Sequence, residues 1–324
     1  MNKPIPKLKI ERSQLLLGDA LDWLAALPDK HFALAVTSPP YNIGKPYETD
    51  NRWSLEEYLA FVEKVVDRLI PKITDTGGIC WQVGNYVKSG EVFPLDIYTH
   101  NLFHSRGMKL RNRIIWRFNF GHNANNRFSG RYETLLWFSK TDKYTFNLDP
   151  VRIPQLYPGK RHASTKGSLA GLPSGNPKGK NPADFWEFSS EQEFLNNPIW
   201  DVPNVKANHP EHTFHPCQFP IELAERCILA LTKKRQRVID PFSGAGTTVI
   251  AAEKHGRIGV GIDSDQKYVE LARDRLRQLE EGKLAMRPIG RPVRRPKETE
   301  KVASIPEEWR SLVKAKDEEK KEKA

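Results

Sequence analysis

The chain has 324 residues, 38% hydrophobic and 28% charged, enough to bury one or two cores. No apolar run approaches about 18 residues, so a membrane span is excluded, and the N-terminus lacks the apolar core of a signal peptide. The net charge of +11 calls for an anionic partner, with nucleic acid first, and Cys80, Cys217 and Cys227, odd in number and far apart, form no metal pattern and imply a reducing cytoplasm.

Residues 1–12 read as a polar arm. Gln14-Leu15-Leu16-Leu17 is a short strand closed by Gly18-Asp19, and Leu21, Leu24 and Leu27 mark a helix that Pro28 stops. Asp19 suits two compatible roles: a helix cap, and a ligand contact at the carboxyl end of a parallel strand. The apolar run 32–36 is expected to be a buried strand, and Thr37-Ser38-Pro39-Pro40-Tyr41-Asn42 ends it abruptly. The two prolines fix φ and supply no N–H, so the carbonyls before them can face a ligand. Tyr41 adds a flat aromatic face. Acceptors beside a stacking ring suit a planar base with an exocyclic amine; a Pro-rich strand exit with a structural tyrosine is the plainer alternative.

A loop over 43–52 leads to the capping box Ser54-Leu55-Glu56-Glu57. The helix behind it carries Leu55, Tyr58, Leu59, Val62, Val65, Val66 and Leu69 as its apolar stripe and ends at Pro71. Residues 79–83 are a further buried strand, and a weaker helix is expected over about 93–106. Strands at 113–118 and 133–138 flank the loop 119–132, whose Asn, Gly and Arg suit a substrate loop. Residues 141–205 are rich in Pro, Gly, Lys and Ser, and read as an irregular insert outside the sheet. Order resumes at Pro220, expected as the first residue of a helix. A strand at 237–240, a Gly-rich turn, a helix to His255 and a strand at 257–263 follow. Ser264 or Asp265 caps a last helix over about 266–281. Beyond Gly282 a charged tail is expected to be largely disordered, with a helical turn at 307–313.

Charge is unevenly spread. Residues 97–132 contain no acid, and neither do residues 150–183. Two such runs point to a phosphate-binding face, with Arg113, Arg127, Arg131, Lys160, Arg161, Lys178 and Lys180 as candidate DNA contacts. In the Gly-rich turn, Gly244 and Gly246 allow close backbone approach, and the next helix offers free N–H groups. The pattern lacks Gly-Lys-Ser/Thr, which disfavours a Walker-type NTPase. Asp263 ends the next strand about twenty residues on, where a carboxylate can accept from both hydroxyls of a ribose. Alone, these features mean a nucleoside-containing cofactor, or a tight turn with a capping Asp. His209, His212 and His215 are spaced by three, but Pro210 and Pro216 break any helix that would align them, so no metal is expected.

Asp240-Pro241-Phe242-Ser243-Gly244-Ala245-Gly246-Thr247-Thr248, taken with residues 37–42, resembles the S-adenosylmethionine-dependent amino-methyltransferases of DNA. The order, target motif first and cofactor turn later, resembles their circularly permuted β class. Gly18-Asp19, His215-Pro216-Cys217-Gln218-Phe219-Pro220, Lys180-Asn181-Pro182-Ala183-Asp184-Phe185-Trp186 and Ile199-Trp200-Asp201-Val202-Pro203 resemble further segments, so the likeness covers residues 13–282.

The resemblance implies an α/β fold, a Rossmann-like seven-stranded mixed sheet with helices on both faces. Its target-base half would span 13–140, its target-recognition region 141–205 and its cofactor half 206–282. It implies S-adenosyl-L-methionine held by Asp19, Thr37, His215, Phe219, Asp240, Phe242, Gly244, Gly246, Thr247, Asp263 and Ser264. It implies a base flipped from duplex DNA onto Ser38, Pro39, Pro40 and Tyr41. The first motif residue is commonly Ser in cytosine-N4 enzymes and Asp in adenine-N6 enzymes, so Ser38 points to cytosine N4, with adenine N6 as the alternative. A non-catalytic nucleic-acid-binding protein on this fold, a protein-glutamine methyltransferase and an RNA substrate are rival readings. A cognate restriction endonuclease and a homodimer stay open as partners.

Overall fold

The computed structural model describes residues 9–41, 53–118, 123–155, 157–163, 166–186, 205 and 209–291. Asn42, the loop 43–52, the motif 199–203 and the tail from 292, with its expected helical turn, lie outside the described residues.

In chain order the elements are β1 (Gln14–Leu17), α1 (Ala20–Ala26), β2 (Phe32–Thr37), α2 (Leu55–Lys72), β3 (Ile73–Val83), β4 (Asn85–Lys88), β5 (Glu91–Pro94), α3 (Leu95–His104), β6 (Lys109–Arg117) and β7 (Tyr132–Ser139). After the insert come β8 (Phe185–Trp186), α4 (Ile221–Leu231), β9 (Arg237–Asp240), α5 (Thr247–Lys254), β10 (Ile258–Asp263) and α6 (Gln266–Glu280). The main sheet runs β1-β10-β9-β2-β3-β7-β6-β8. Its first five strands are parallel, and β7 is antiparallel to both its neighbours.

The strands read as unbroken apolar runs because both faces of the sheet are covered. Alternate residues feed two cores. Ala35, Ile79, Trp81 and Val83 pack with Leu24 of α1, Val62 and Val65 of α2 and Phe103 of α3. Leu34, Val36 and Cys80 pack on the other face with Leu223, Cys227 and Ile228 of α4 and Ala251 of α5. Both buried cysteines are therefore core residues. The capping box forms, with Ser54 and Glu57 exchanging side-chain and backbone bonds.

Five local readings change. α2 runs through Pro71 to Lys72, whose ammonium donates to Leu27 O and Asp29. Pro220 is the cap before α4 rather than its first residue. β3 starts at Ile73, which pairs with Phe32; the register then shifts, pairing resumes at Gly78, and the exposed Asp75 and Thr76 between them carry no apolar signal. The insert is not wholly outside the sheet: Phe185 and Trp186 add an eighth, two-residue strand parallel to β6, and Trp186 is buried. The start of the tail is also ordered. Glu222 on α4 is buried and pairs with Arg226 and with Arg287, the latter at 2.5 Å, and it accepts from Gly290 N. Charge pairing acts there together with the packing of Leu284 and Met286 against the second core, and the pairing is the part a hydropathy argument misses. No helix among the described residues is long and apolar enough to cross a membrane.

Candidate active site

The helices after β1 and β2 lie on one face of the sheet and the helix after β9 on the other, so the winding reverses between β9 and β2. In such sheets ligands bind at that switch, beyond the carboxyl ends of the strands. The switch is hydrogen-bonded across: Thr37 Oγ1, ending β2, donates to Asp240 Oδ1, ending β9, at 2.7 Å. Thr248 Oγ1 at the start of α5 donates to Val36 O at 3.1 Å.

Asp240 is fully buried, and burial pushes its carboxyl up to about 6 against the bonds from Thr37 and Phe242 N. Its Oδ2 has no hydrogen-bond partner among the described residues. The Gly-rich turn follows. Gly244 has φ +48°, and a Cβ there would sit 2.7 Å from His215 Nε2; Gly246 has φ +77° and would meet Ala272 Cβ at the same distance. Only glycine fits either place without displacing a neighbour.

Asp263, at the end of β10, accepts from Gly244 N at 2.8 Å and Asp265 N at 2.9 Å, and burial raises its pKa. Gly18 N donates to Asp263 O at 2.9 Å, which brings Asp19 beside it. The Asp19 carboxylate caps α1 through Leu21 N and Asp22 N, so the cap role holds at a strand end that also borders the crevice. His215 Nδ1 accepts from Cys217 N, leaving the ring proton on Nε2, toward the turn. Burial, then Arg275, lowers its pKa to about 4. Its ring meets Tyr268 edge-on at 4.5 Å. Thr247 Oγ1 donates to Phe219 O at 3.4 Å, Phe242 packs 6.0 Å from Phe61, and Ser264 is exposed beside Asp263.

The target motif leaves β2 next to this turn. Ser38 Oγ and Tyr41 OH are 2.7 Å apart. Tyr41 is 9% exposed. Its hydroxyl donates to Glu133 Oε2 at 3.2 Å, and Gln82 Nε2 donates to the same oxygen at 2.6 Å. Gln82 comes from β3 and Glu133 from β7, whose antiparallel register, Gln82 opposite Leu135, makes them diagonal neighbours. Gly84 makes room: a Cβ there would lie 3.3 Å from Tyr41 Cε2. Glu133, Gln82, Gly84, Phe61 and Tyr268 are absent from the sequence-derived set. One signal was available, since Glu133 is the first acid after the acid-free run 97–132.

The candidate DNA contacts divide. Arg113 is committed to buried Asp96 at 2.5 Å, and Lys178 pairs with Asp149, so those two charges are matched within the chain. Arg127 lies exposed on the loop between β6 and β7, beside fully exposed Phe128, and Arg131 at its end holds Asn123 Oδ1. Lys160 is exposed, as is Arg161, which holds Gly171 O. Lys180 pairs with Ile153 through its backbone. His209 accepts from Glu211 N, and burial lowers its pKa to about 4.

A reversed α/β sheet with an antiparallel β7 beyond its parallel strands, a Gly-rich turn and an acidic strand end next to the switch is the arrangement of the class I methyltransferase fold. The family model described as DNA methylase, of N6 and N4 methyltransferases, matches residues 32–274, and the chain belongs to that family. Type II methyltransferase M.BglII of Bacillus subtilis is 43% identical over 256 residues, 79% of this chain and 66% of that protein's length. Two solved structures share the fold. The PvuII DNA methyltransferase (cytosine-N4-specific) matches at 19% identity and TM-score 0.59, covering 82% of this chain and 86% of that one. A DNA modification methylase of Thermus thermophilus, complexed with S-adenosyl-L-methionine, matches at 24% and 0.54, covering 82% and 93%. S-adenosyl-L-methionine is the cofactor of this chain.

Proposed function

We propose that the protein methylates the exocyclic N4 amine of cytosine in duplex DNA, at a specific site, after flipping the base from the helix. The observation that carries this reading is the Ser38–Tyr41 pair, a neutral hydroxyl bound to an aromatic hydroxyl, beside the cofactor turn. The turn fits the cofactor: Gly244 leaves a backbone cradle under His215, Asp263 offers a carboxylate at ribose reach, and Asp240 holds an unmatched acceptor nearby. Bound there, S-adenosyl-L-methionine supplies an electrophilic sulfonium methyl.

The chain supplies orientation and a dry, ordered pocket. Tyr41 stacks on the base. Ser38 Oγ and the Pro39 carbonyl accept the two amine hydrogens, which holds the nitrogen pyramidal with its lone pair toward the methyl. The amine becomes acidic as it is alkylated, so no strong base is needed. Adenine N6 is the second reading, because the same acceptors fit its amine. Residues 141–205 would read the sequence, Arg127, Lys160 and Arg161 would hold phosphates, and a cognate restriction endonuclease would share the site in the same cytoplasm.

The test is mass spectrometry of nucleosides from DNA incubated with the protein and methyl-labelled cofactor. Label in N4-methylcytosine is expected. Label in N6-methyladenine transfers the reading to adenine, and label in neither, with cofactor bound, overturns it.

A further inference from the structure

We infer that Glu133 sets the hydrogen-bond polarity of Ser38, so that the site presents acceptors only and selects a base carrying an amine over one carrying a carbonyl. This rests on the target-base reading above. Protons can be counted along Ser38, Tyr41 and Glu133. A carboxylate accepts and has no hydrogen to give. Tyr41 OH must therefore donate to Glu133 Oε2, as it does at 3.2 Å. Its single hydrogen is spent there, so in the 2.7 Å contact with Ser38 the tyrosine oxygen accepts and Ser38 Oγ–H donates. The Ser38 hydrogen is thus turned toward the tyrosine, and its lone pairs are left for the base. Gln82 fixes the start of this chain by donating to the same carboxylate oxygen at 2.6 Å.

The result is chemical selection two residues removed from the base. Cytosine N4 and adenine N6 offer hydrogens to Ser38. Thymine O4, uracil O4, guanine O6 and hypoxanthine O6 would place an acceptor against an acceptor. Glu133 does not touch the base; it is a positioning residue that acts through Tyr41 and Ser38. Its placement at the start of β7 explains why an acid sits at the rim of an otherwise basic segment.

The test uses three variants: Glu133→Ala, Tyr41→Phe and the double variant. Without the carboxylate, Tyr41 OH can donate to Ser38 and turn the serine hydrogen onto the amine. Glu133→Ala is expected to slow single-turnover methyl transfer by about 10- to 100-fold, the cost of an unsatisfied or opposed polar pair, with cofactor affinity unchanged. Adding Tyr41→Phe keeps the stacking ring and removes the opposing hydroxyl, so the double variant is expected to be faster than Glu133→Ala alone. A merely structural Glu133 would make the double variant no faster, and that result overturns the inference.

A binding measurement gives a second readout. Duplexes carry the site the wild-type protein methylates, with either the target base or its deaminated counterpart. Wild type is expected to prefer the amine by about tenfold, and Glu133→Ala to lose most of that preference. Equal discrimination by both proteins also overturns the inference. Failure of the wild type to methylate any DNA strikes at the target-base reading instead.

Discussion

The two halves of the crevice are built in different ways. The cofactor half is nearly contiguous: residues 240–248 and Asp263 lie on one β–turn–α–β unit, and their geometry is fixed by two positive-φ glycines and a carboxylate bonded to the turn. The target half is assembled from three strands. Ser38 and Tyr41 follow β2, Gln82 lies near the end of β3 and Glu133 near the start of β7. On the proposed reading a local unit holds the part common to every reaction, the cofactor. A long-range assembly can be changed one strand at a time, which suits the part that chooses a base.

This contrast separates the expected effects of substitution. On the proposed reading Asp263→Ala removes an acceptor for two ribose hydroxyls, and charge-assisted bonds of about 1.5–3 kcal/mol each predict cofactor binding weakened at least about 100-fold by calorimetry. An unchanged dissociation constant would remove Asp263 from the site. Tyr41→Ala is expected to slow methyl transfer by about 10- to 100-fold, the worth of one base stack, while cofactor affinity stays near wild type. Parallel losses of both would merge the halves. Gly244→Ala forces a Cβ against His215 in a left-handed backbone, and should lower stability by about 1–3 kcal/mol in denaturant melts, with weaker cofactor binding.

The pH dependence is smaller because two signs oppose. His215 has a folded pKa of about 4 against an ordinary 6.5. The unfolded chain takes the proton first, so stability is lost as pH falls from 6.5 toward 4. Asp240 is raised to about 6 from 3.8, so its contribution is present at low pH and is lost as pH rises through 6. Thermal melts of His215→Gln should lose part of the acid-side decline; a steeper decline would contradict the assignment. The smallest effect is expected for Arg127→Ala or Lys160→Ala. Each should weaken DNA binding uniformly across sequences and lower the salt slope by about one, with cofactor binding untouched.

The same contrast explains what the sequence disclosed. The cofactor turn, Asp263 and the Ser38–Tyr41 motif were legible because each is a short run whose residue types answer a local need: positive φ, a strand end, a missing N–H. The apolar runs of β6 and β7 were legible as strands, whereas the antiparallel course of β7 against both neighbours was not. Gln82 and Glu133 were not legible as partners of Tyr41, since their meeting depends on the register of β3 with β7. The pairing of Arg113 with Asp96 was hidden for a similar reason, and a basic run was read as free charge. The β4–β5 hairpin carried a cue in Ser89-Gly90, both at positive φ, but its strands are only four residues long.

The most direct test of a crevice split between cofactor and base is a crystal structure with S-adenosyl-L-methionine bound. The account predicts the ribose hydroxyls on Asp263, the methionine portion over the Gly244 turn beside His215, and the sulfonium methyl facing the space above Ser38 and Tyr41. A cofactor whose ribose lies away from Asp263, or whose methyl faces away from Ser38, would contradict it.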